Sequence, residues 1–192
     1  MSSRPVLLAS GSPRRAELLS QIGIPFEVSV PDVDETPLAG EGAADYVERL
    51  ARAKAAAVPA AGGVVLAADT VVVLDGRLLG KPESEADGVR MLCDLGGREH
   101  EVLTAIAVTD GDAVHAEVVR TLVRFVPVDA ALARAYWATG EGADKAGGYG
   151  IQGIGGILAQ SITGSYSAVV GLPLSETERA LARFGVDTWR YR

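Results

Sequence analysis

Segments with apolar residues in a run or at every second position alternate with segments whose apolar residues recur every three or four positions. The first pattern is typical of strands, and the second is typical of helices that bury one face. Strands are predicted at residues 6–9, 26–30 and 64–68, in a hairpin that turns at Asp75 and Gly76, and in a longer hairpin at 100–110 and 114–128. Helices are predicted at residues 13–22, 43–58 and 84–95, from residue 129 onward, and at 174–184.

This alternation contains no internal repeat and no low-complexity linker. Alternating strands and helices are typical of α/β proteins, in which helices cover the faces of a sheet. A chain of 192 residues can also bury a sizeable core without disulfides. We therefore expect one domain over residues 1–192, with a mixed sheet, flanking helices and a cleft between two lobes.

The turn after the first strand, ASGSPRR at residues 9–15, carries the first candidate chemistry. Ser12 suits a helix N-cap, and Pro13 suits the first helical position, where the missing amide hydrogen costs nothing. A helix N-terminus attracts anions, and Arg14 and Arg15 strengthen that attraction for a phosphate. An ordinary capped helix with solvated arginines is an equally good interpretation of this stretch taken alone.

Net charge limits the classes of binding partner, and cysteine content indicates the cellular compartment. The formal charge of −7 and the isoelectric point near 4.9 argue against a nucleic-acid polymer, which needs a broad basic face. A small polyanion remains compatible with local positive charge. The one cysteine, Cys93, is expected to be a core thiol in a reducing cytoplasm. No secretion signal opens the sequence and the uncharged stretches suit no membrane helix, so we expect a cytoplasmic protein without membrane contact.

Carboxylates stand at two places that suit a hard cation. Asp69 directly follows the apolar residues 64–68, at the expected carboxyl end of a central strand, where α/β sheets place their ligands. Asp34 and Glu35 lie in an acidic loop and can join Asp69 around a divalent cation. A helix cap or a loop salt bridge is the alternative for Asp69, and surface solvation is the alternative for the loop.

Lysines and a glycine-rich segment complete the candidate chemistry. Lys54, Lys81 and Lys145 can offset the charge of a triphosphate, although a single lysine is more often a solvated charge. The segment GYGIQG at residues 148–153 matches a dinucleotide-binding pattern, but it neither follows a predicted strand nor opens a helix. So many glycines instead indicate close backbone packing around something flat or charged, with a mobile glycine loop as the alternative.

Eight segments taken together resemble the Maf family of nucleoside triphosphate pyrophosphatases. They follow the family's order across nearly the whole chain, at residues 9–15, 33–36, 46–54, 68–72, 80–82, 100–108, 144–153 and 164–174. The resemblance implies an α/β fold of the Maf and inosine-triphosphatase type with a deep cleft between two lobes. It also implies hydrolysis of a nucleoside triphosphate to the monophosphate and pyrophosphate. Members of the family are often dimeric, so a homodimer is one expectation. The divalent cation that it implies is Mg²⁺, with Mn²⁺ or Co²⁺ as alternatives.

The resemblance assigns roles to the residues at matching positions. It places phosphate binding at Ser10, Ser12, Arg14 and Arg15, metal binding and catalysis at Glu35 and Asp69, further substrate contacts at Lys54 and Lys145, a catalytic lysine at Lys81, and base selection at Arg14, Thr70 and Gln152. Two positions depart from the family pattern. Gly142 stands where a proline is often found, and Ala168 stands where many members have asparagine.

Residues 144–153 are similar to the branch of the family that acts on dTTP and UTP. We therefore expect these nucleotides and modified pyrimidine nucleotides as substrates, in a role that cleans the nucleotide pool. One alternative is a pyrophosphatase of the 7-methyl-GTP type. Another is a nucleotide-sensing regulator of septum formation, since Maf proteins are associated with septum arrest. A sensor needs the basic residues but not Glu35 and Asp69, so the enzyme is favoured.

Overall fold

The computed structural model describes residues 4–191, without the side chains of residues 190 and 191. Its strands are β1 (Val6–Ala9), β2 (Phe26–Val28), β3 (Val64–Leu74), β4 (Arg77–Leu79), β5 (Glu99–Thr109), β6 (Val114–Phe125) and β7 (Ala159–Thr163). Its α-helices are α1 (Pro13–Gln21), α2 (Ala43–Ala56), α3 (Glu85–Leu95), α4 (Ala130–Trp137), α5 (Tyr166–Val170) and α6 (Leu174–Arg183). Short 3₁₀ helices lie at Ala146–Gly148, Ile154–Leu158 and Thr188–Tyr191.

The described strands form one mixed sheet in the order β2, β1, β3, β5, β6, β7, and β4 also pairs with β3. Strand β1 is parallel to both β2 and β3, with Ala9 opposite Ala67. Strand β4 returns antiparallel to β3 through Asp75 and Gly76, whose positive φ angles of 51° and 76° suit a two-residue hairpin turn. The mixed sheet with its helices confirms the predicted α/β class.

The chain forms two compact units. The first consists of the described residues up to Asp69, of Thr104–Val119 and of the residues from Gly171 onward, and the second consists of Thr70–Leu103 and Arg120–Val170. Leu8, Leu19 and Leu50 are fully buried in the first unit. In the core of the second unit, the rings of Phe125 and Tyr149 meet edge to face at 4.7 Å between centroids.

Strand β3 is longer than predicted, and this corrects the position of Asp69. The apolar run resumes at residues 71–74, so β3 continues through Asp69 and Thr70, and Asp69 lies inside the strand instead of after its end. Strand β1 stops at Ala9, however, which is opposite Ala67. Asp69 therefore still lies beyond the carboxyl end of the neighbouring parallel strand, where α/β sheets place their ligands.

The other predicted elements are confirmed, with ends that differ by at most three residues. Strand β7 and helix α5 are additions, since the sequence pattern predicts only a glycine-rich segment before the last helix. No residue of β7 is buried, so the strand gives no periodic signal, and it is held antiparallel to β6, with Leu122 opposite Thr163. A sheet ladder of this kind forms between backbone groups, so the side-chain pattern reveals it poorly.

Within residues 4–191, no helix combines the length and the apolar character that crossing a membrane requires. The uncharged segment that follows residue 145 forms short 3₁₀ helices, β7 and α5 instead of one long helix. The predicted homodimer and the predicted cytoplasmic location stay predictions.

Candidate active site

The turn between β1 and α1 is organised around the hydroxyl of Ser10, which is buried. The Ser10 Oγ accepts hydrogen bonds from the Ser12 amide and from the Arg15 guanidinium, both at 3.2 Å. Pro13 takes the first helical position as predicted, but the Ser12 hydroxyl makes no capping hydrogen bond to α1. The first-turn amides of α1 are therefore not used by the N-cap side chain, which suits a helix end that binds an anion.

Arg15 links the turn after β1 to Gly171 as well as supplying positive charge. Its Nε donates to the carbonyl oxygen of Gly171 at 2.9 Å, a contact within the first unit. Gly171 has a φ of 131°, which side chains rarely allow, so the position that aims this carbonyl favours glycine. Burial lowers the pKa of the Arg15 guanidinium, and the nearby Asp69 carboxylate opposes that effect. The guanidinium stays charged.

We expect Arg15→Lys to lower the free energy of unfolding by about 1.5–3 kcal/mol. A lysine keeps the charge, but its ammonium does not reproduce the planar fork that reaches both Gly171 and Ser10. Urea unfolding followed by circular dichroism measures the change. Arg52→Lys is the matched control, because Arg52 makes only a partly exposed pair with Glu48 one turn away on α2. Equal losses in the two variants would contradict the role of Arg15.

Lys54 bridges two carboxylates in the first unit. Its Nζ lies 2.6 Å from Asp69 Oδ1 and 2.6 Å from Glu35 Oε1. Lys54 comes from the last turn of α2, Asp69 from β3 and Glu35 from the loop that precedes α2. Lys54 and Asp69 are only 8% and 7% exposed, whereas the Glu35 side chain is 52% exposed. The fold thus brings together a buried acid, a buried lysine and an accessible acid.

Asp34 has a different role from its neighbour. Its Oδ1 accepts a hydrogen bond from the Thr36 amide at 2.9 Å, which shapes the acidic loop. This turn-forming contact is expected, because a side chain this short bonds readily to a backbone amide two residues on. That Asp34 joins Asp69 around a cation stays a prediction.

Burial changes the acidity of Asp69. Removal from water raises the pKa of this carboxyl, while the charges of Lys54 and Arg15 act in the opposite direction. The charge of Glu35 adds to the rise, and the net direction is upward. A carboxylate with a raised pKa is a stronger base than a solvated aspartate. Asp69 therefore lies in an environment that suits a group accepting a proton.

Side chains of α2 hold the loop that carries Glu35. The Tyr46 hydroxyl donates to the Glu35 carbonyl oxygen at 3.0 Å, and Arg49 donates to the Thr36 carbonyl oxygen at 3.2 Å. Arg49 also binds both carboxylate oxygens of Glu41, and its hydrogen bonds lower the pKa of Glu41 to about 2. The sequence pattern assigns Tyr46 and Arg49 no site role. Their three-residue spacing, which puts them on one side of a helix, is the signal that points to them.

The second unit holds Thr70, Lys81, Lys145 and Gln152. Thr70 lies in β3, Lys81 is exposed after β4, and Gln152 is exposed in the turn at residues 151–153. The Lys145 Nζ donates to the carbonyl oxygen of Glu141 and, at 2.7 Å, to Asp144 Oδ1. Lys145 is therefore bound within its own loop and differs from the solvated charge that a single lysine usually is.

The glycine-rich segment packs around a charged group, as predicted, and that group is the chain's own Glu141. Its Oε1 accepts hydrogen bonds from the Gly155 amide at 2.9 Å and from the Tyr136 hydroxyl at 2.8 Å. Its Oε2 accepts one from the Ile154 amide at 2.8 Å. The sequence pattern misses this role because Glu141 precedes the segment and looks like an ordinary loop charge.

The Glu35 and Asp69 side chains suit a divalent cation. Among the residues that the structure describes, no three His, Cys, Asp or Glu side chains converge as a metal site. A hard cation such as Mg²⁺, however, usually takes one or two carboxylates together with substrate phosphates. The Lys54 ammonium already lies 2.6 Å from an oxygen of each carboxylate. This donor set fits a hard cation that binds together with a phosphate substrate.

The fold and the site define an α/β protein with an arginine-bearing helix N-terminus and a lysine-bridged pair of carboxylates in one unit. The sequence profile of the family described as Maf-like protein matches residues 5–184. The chain belongs to this family.

Similar proteins cover almost the whole chain. A Vibrio cholerae protein named dTTP/UTP pyrophosphatase is 51% identical over 187 residues, which is 96% of this chain and 100% of that protein. An Alcanivorax borkumensis protein with the same name is 50% identical over 188 residues, covering 95% of this chain and 97% of its own. Among solved structures, the Staphylococcus aureus Ham1 protein is 22% identical, with a TM-score of 0.45 over 66% of this chain and 73% of its own.

Proposed function

We propose that the chain is a nucleoside triphosphate pyrophosphatase that hydrolyses dTTP, UTP and modified pyrimidine nucleotides and so cleans the nucleotide pool. The buried Asp69 carboxylate carries the proposal, because Lys54 joins it to Glu35 in the same unit as the N-terminus of α1. Relatives at 50% and 51% identity bear the name dTTP/UTP pyrophosphatase, which supports this class of enzyme and substrate. The family match over residues 5–184 supports one functional domain across residues 1–192.

Phosphate binding falls to the turn between β1 and α1. The α1 amides and the helix dipole favour an anion, and Arg14 and Arg15 add positive charge there. Ser10 and Ser12 complete the turn, with Ser10 holding the Arg15 guanidinium at 3.2 Å. In a chain with a formal charge of −7, such local positive charge is what lets a triphosphate approach.

The reaction joins the oxygen of a water molecule to the α-phosphorus and breaks the bond between that phosphorus and the oxygen bridging to the β-phosphate. Pyrophosphate leaves with the electron pair of the broken bond. The proton of the water moves to Oδ2 of Asp69, since Oδ1 already accepts a hydrogen bond from Lys54. Lys81 and Arg14 stabilise the negative charge that develops on the leaving pyrophosphate.

Glu35 and Asp69 would hold the divalent cation, Mg²⁺ in the first place and Mn²⁺ or Co²⁺ as alternatives. When bound, such a cation polarises a phosphoryl oxygen and lowers the pKa of a bound water. Lys54 keeps the two carboxylates near each other by balancing their charge. Without that balance, two neighbouring carboxylates repel, and one of them takes up a proton.

Base selection falls to Gln152, with Arg14 and Thr70 as further contacts and Lys145 as a substrate-binding lysine. The Gln152 carboxamide both donates and accepts hydrogen bonds. It can therefore pair with the O4 and N3–H edge that thymine and uracil share. Cytosine presents a donor and an acceptor in the reverse order at this edge, so a carboxamide held in one orientation distinguishes the two bases.

We expect Gln152→Ala to lower the ratio of kcat/KM for UTP over CTP by about tenfold, the value of a hydrogen bond of ordinary strength. Steady-state pyrophosphate release with each nucleotide measures the ratio. Gln160→Ala is the matched control, because Gln160 is exposed in β7 and has no assigned role. A ratio that is the same in Gln152→Ala as in the wild type would remove Gln152 from base selection.

The experiment that tests the proposed function is pyrophosphate release from dTTP, UTP, CTP, 7-methyl-GTP, dATP and GTP, with Mg²⁺ and with a chelator. Release that needs Mg²⁺ and is confined to dTTP and UTP is the expected result. Release from 7-methyl-GTP instead would assign the chain to the other specificity. Tight nucleotide binding without any release would favour a nucleotide-sensing regulator of septum formation.

A further inference from the structure

Backbone groups on both sides of Gln152 are held by one pair of side chains. The Tyr136 oxygen accepts a hydrogen bond from the Gly150 amide at 2.9 Å, and its hydroxyl donates to Glu141 at 2.8 Å. The amides at positions 154 and 155 donate to the same Glu141 carboxylate. The turn that exposes Gln152 is thus anchored before and after this residue, and both anchors depend on Glu141.

The spacing around Glu141 explains why glycines occupy this turn. A Cβ on Gly153 would lie 1.9 Å from Glu141 Oε2, and a Cβ on Gly155 would lie 2.8 Å from the Tyr136 oxygen. Real Cβ atoms essentially never approach a neighbour within 3.0 Å. A side chain at either position would therefore push the Glu141 carboxylate or the Tyr136 hydroxyl out of its present place.

Glu141 also holds the loop that carries Lys145. The Lys145 Nζ donates to the Glu141 carbonyl oxygen, and a Cβ on Gly150 would lie 2.8 Å from the Lys145 Cε. The Lys145 side chain is only 16% exposed as a result. Glu141 therefore contacts the segments of two residues, Lys145 and Gln152, to which the proposed function gives substrate contacts.

The acceptor at the centre of this arrangement is ionised. Burial alone would raise the pKa of Glu141, but hydrogen bonds from Gly155, Tyr136 and Ile154 outweigh burial and lower it. Burial raises the pKa of Tyr136, so this hydroxyl keeps its proton and donates it. Hydrogen bonds to an ionised acceptor are about twice as strong as those between neutral groups.

A carboxamide pairs with both groups of the O4 and N3–H edge only when its backbone holds it at the right distance and direction from the base. We propose that Glu141, with Tyr136 acting through it, is a positioning residue that fixes the backbone of the turn at residues 150–155 and thereby the place from which the Gln152 side chain reaches a uracil-type base. This inference rests on the proposed function, in which Gln152 contacts the base.

The first test measures the turn without any substrate. Amide hydrogen exchange of Ile154 and Gly155, followed by nuclear magnetic resonance, compares the wild type with Glu141→Gln and Tyr136→Phe. We expect exchange at least tenfold faster at both amides in Glu141→Gln, because the carboxamide turns a donor toward one of them and offers the other only an uncharged, weaker acceptor. Tyr136→Phe keeps the ring and is expected to speed exchange at Gly150. Glu101→Gln is the matched control, since Glu101 binds Arg120 elsewhere in the same unit.

The second test separates positioning from a general structural role. In Glu141→Gln we expect the ratio of kcat/KM for UTP over CTP to fall about tenfold, through a higher KM for UTP and an unchanged kcat. If Glu141 acts through Gln152, the double variant with Gln152→Ala has the same ratio as Gln152→Ala alone. Glu141→Asp keeps the charge and is expected to recover part of the selectivity.

Each outcome bears on the inference. Unchanged exchange at Ile154 and Gly155 would overturn the anchoring, whatever the activity. If the UTP over CTP ratio in the double variant fell by the product of the two single losses, Glu141 would not act through Gln152. An equal loss of kcat with every nucleotide would lead to the same conclusion. A wild-type chain that releases no pyrophosphate would overturn the proposed function and base reading together, and the exchange rates would still decide whether Glu141 anchors the turn. If Glu141→Gln does not fold, Tyr136→Phe replaces it, with exchange measured at the Gly150 amide and selectivity measured as the UTP over CTP ratio; no change in either would overturn the inference.

Discussion

Asp69→Asn is expected to lower kcat for UTP hydrolysis by about 10²-fold or more, the usual contribution of a general base. The carboxamide keeps the size of the side chain and can still accept a hydrogen bond from Lys54. It is too weak a base to take the proton of the attacking water, and it is a poorer ligand for a hard cation. Steady-state pyrophosphate release with saturating UTP and Mg²⁺ measures the loss.

Asp75→Asn is the matched control for this result. Asp75 is exposed in the β3–β4 turn, on the same hairpin as Asp69, and it binds Arg98 at 2.6 Å. Its φ of 51° is one that asparagine tolerates well, so the substitution is expected to leave kcat unchanged. If kcat of Asp69→Asn stayed within a factor of about ten of the wild type, Asp69 would not be the proton acceptor.

Lys54→Met is expected to lower the free energy of unfolding by about 3–5 kcal/mol at neutral pH. Methionine fills much the same volume, but it leaves the Asp69 carboxylate buried and without the ammonium that lies 2.6 Å away in the wild type. Glu35 is half exposed and is solvated by water, so most of the cost falls on Asp69. Urea unfolding followed by circular dichroism measures the change.

The loss in Lys54→Met is expected to grow with pH. Burial raises the pKa of Asp69 above its usual value of 3.8, and the variant removes the charge that most opposes this rise. A group whose pKa is raised by folding stabilises the folded state fully at a pH below its usual pKa. This stabilisation is lost as the pH rises through the pKa of the group in the folded state. The deficit relative to wild type is therefore smallest near pH 4 and largest at neutral pH.

Arg52→Met is the control for this pH dependence. Arg52 lies on the same helix, and its pair with Glu48 is partly exposed, so about 0–1 kcal/mol is expected at any pH. A Lys54→Met deficit that is independent of pH, or no larger than that of Arg52→Met, would show that the Lys54 ammonium does not compensate a buried carboxylate.

Elements with a strong local signal were predictable. Gly76 after Asp75 marks the hairpin because both residues accept positive φ angles. Pro13 marks the start of α1 because an amide hydrogen at the first helical position would have no partner within the helix, so proline costs nothing there. Strand β7 had no such signal, since its pairing with β6 depends on backbone groups. The predicted end of β3 is wrong because Asp69 and Thr70 interrupt the apolar pattern without interrupting the strand.

Some features of the candidate site were likewise predictable from local sequence, and others were not. Arg14 and Arg15 follow Pro13 at the start of a helix, so residue types and spacing were enough to place them at its N-terminus, whereas the hydrogen bond from Arg15 to Ser10 appears only in the structure. Glu35, Lys54 and Asp69 come from a loop, a helix and a strand. Spacing along the chain does not show that the Lys54 ammonium meets both acids.

The order of residue types along this chain was sufficient for its α/β class and for most of its strands and helices. These features depend largely on the local pattern of apolar, turn and capping residues. The raised pKa of Asp69 and the enclosure of Glu141 by glycine backbone follow only from the folded chain. The raised pKa and the enclosure both require distant segments to pack together, because only this packing excludes water from Asp69 and brings the hydrogen-bond donors to Glu141.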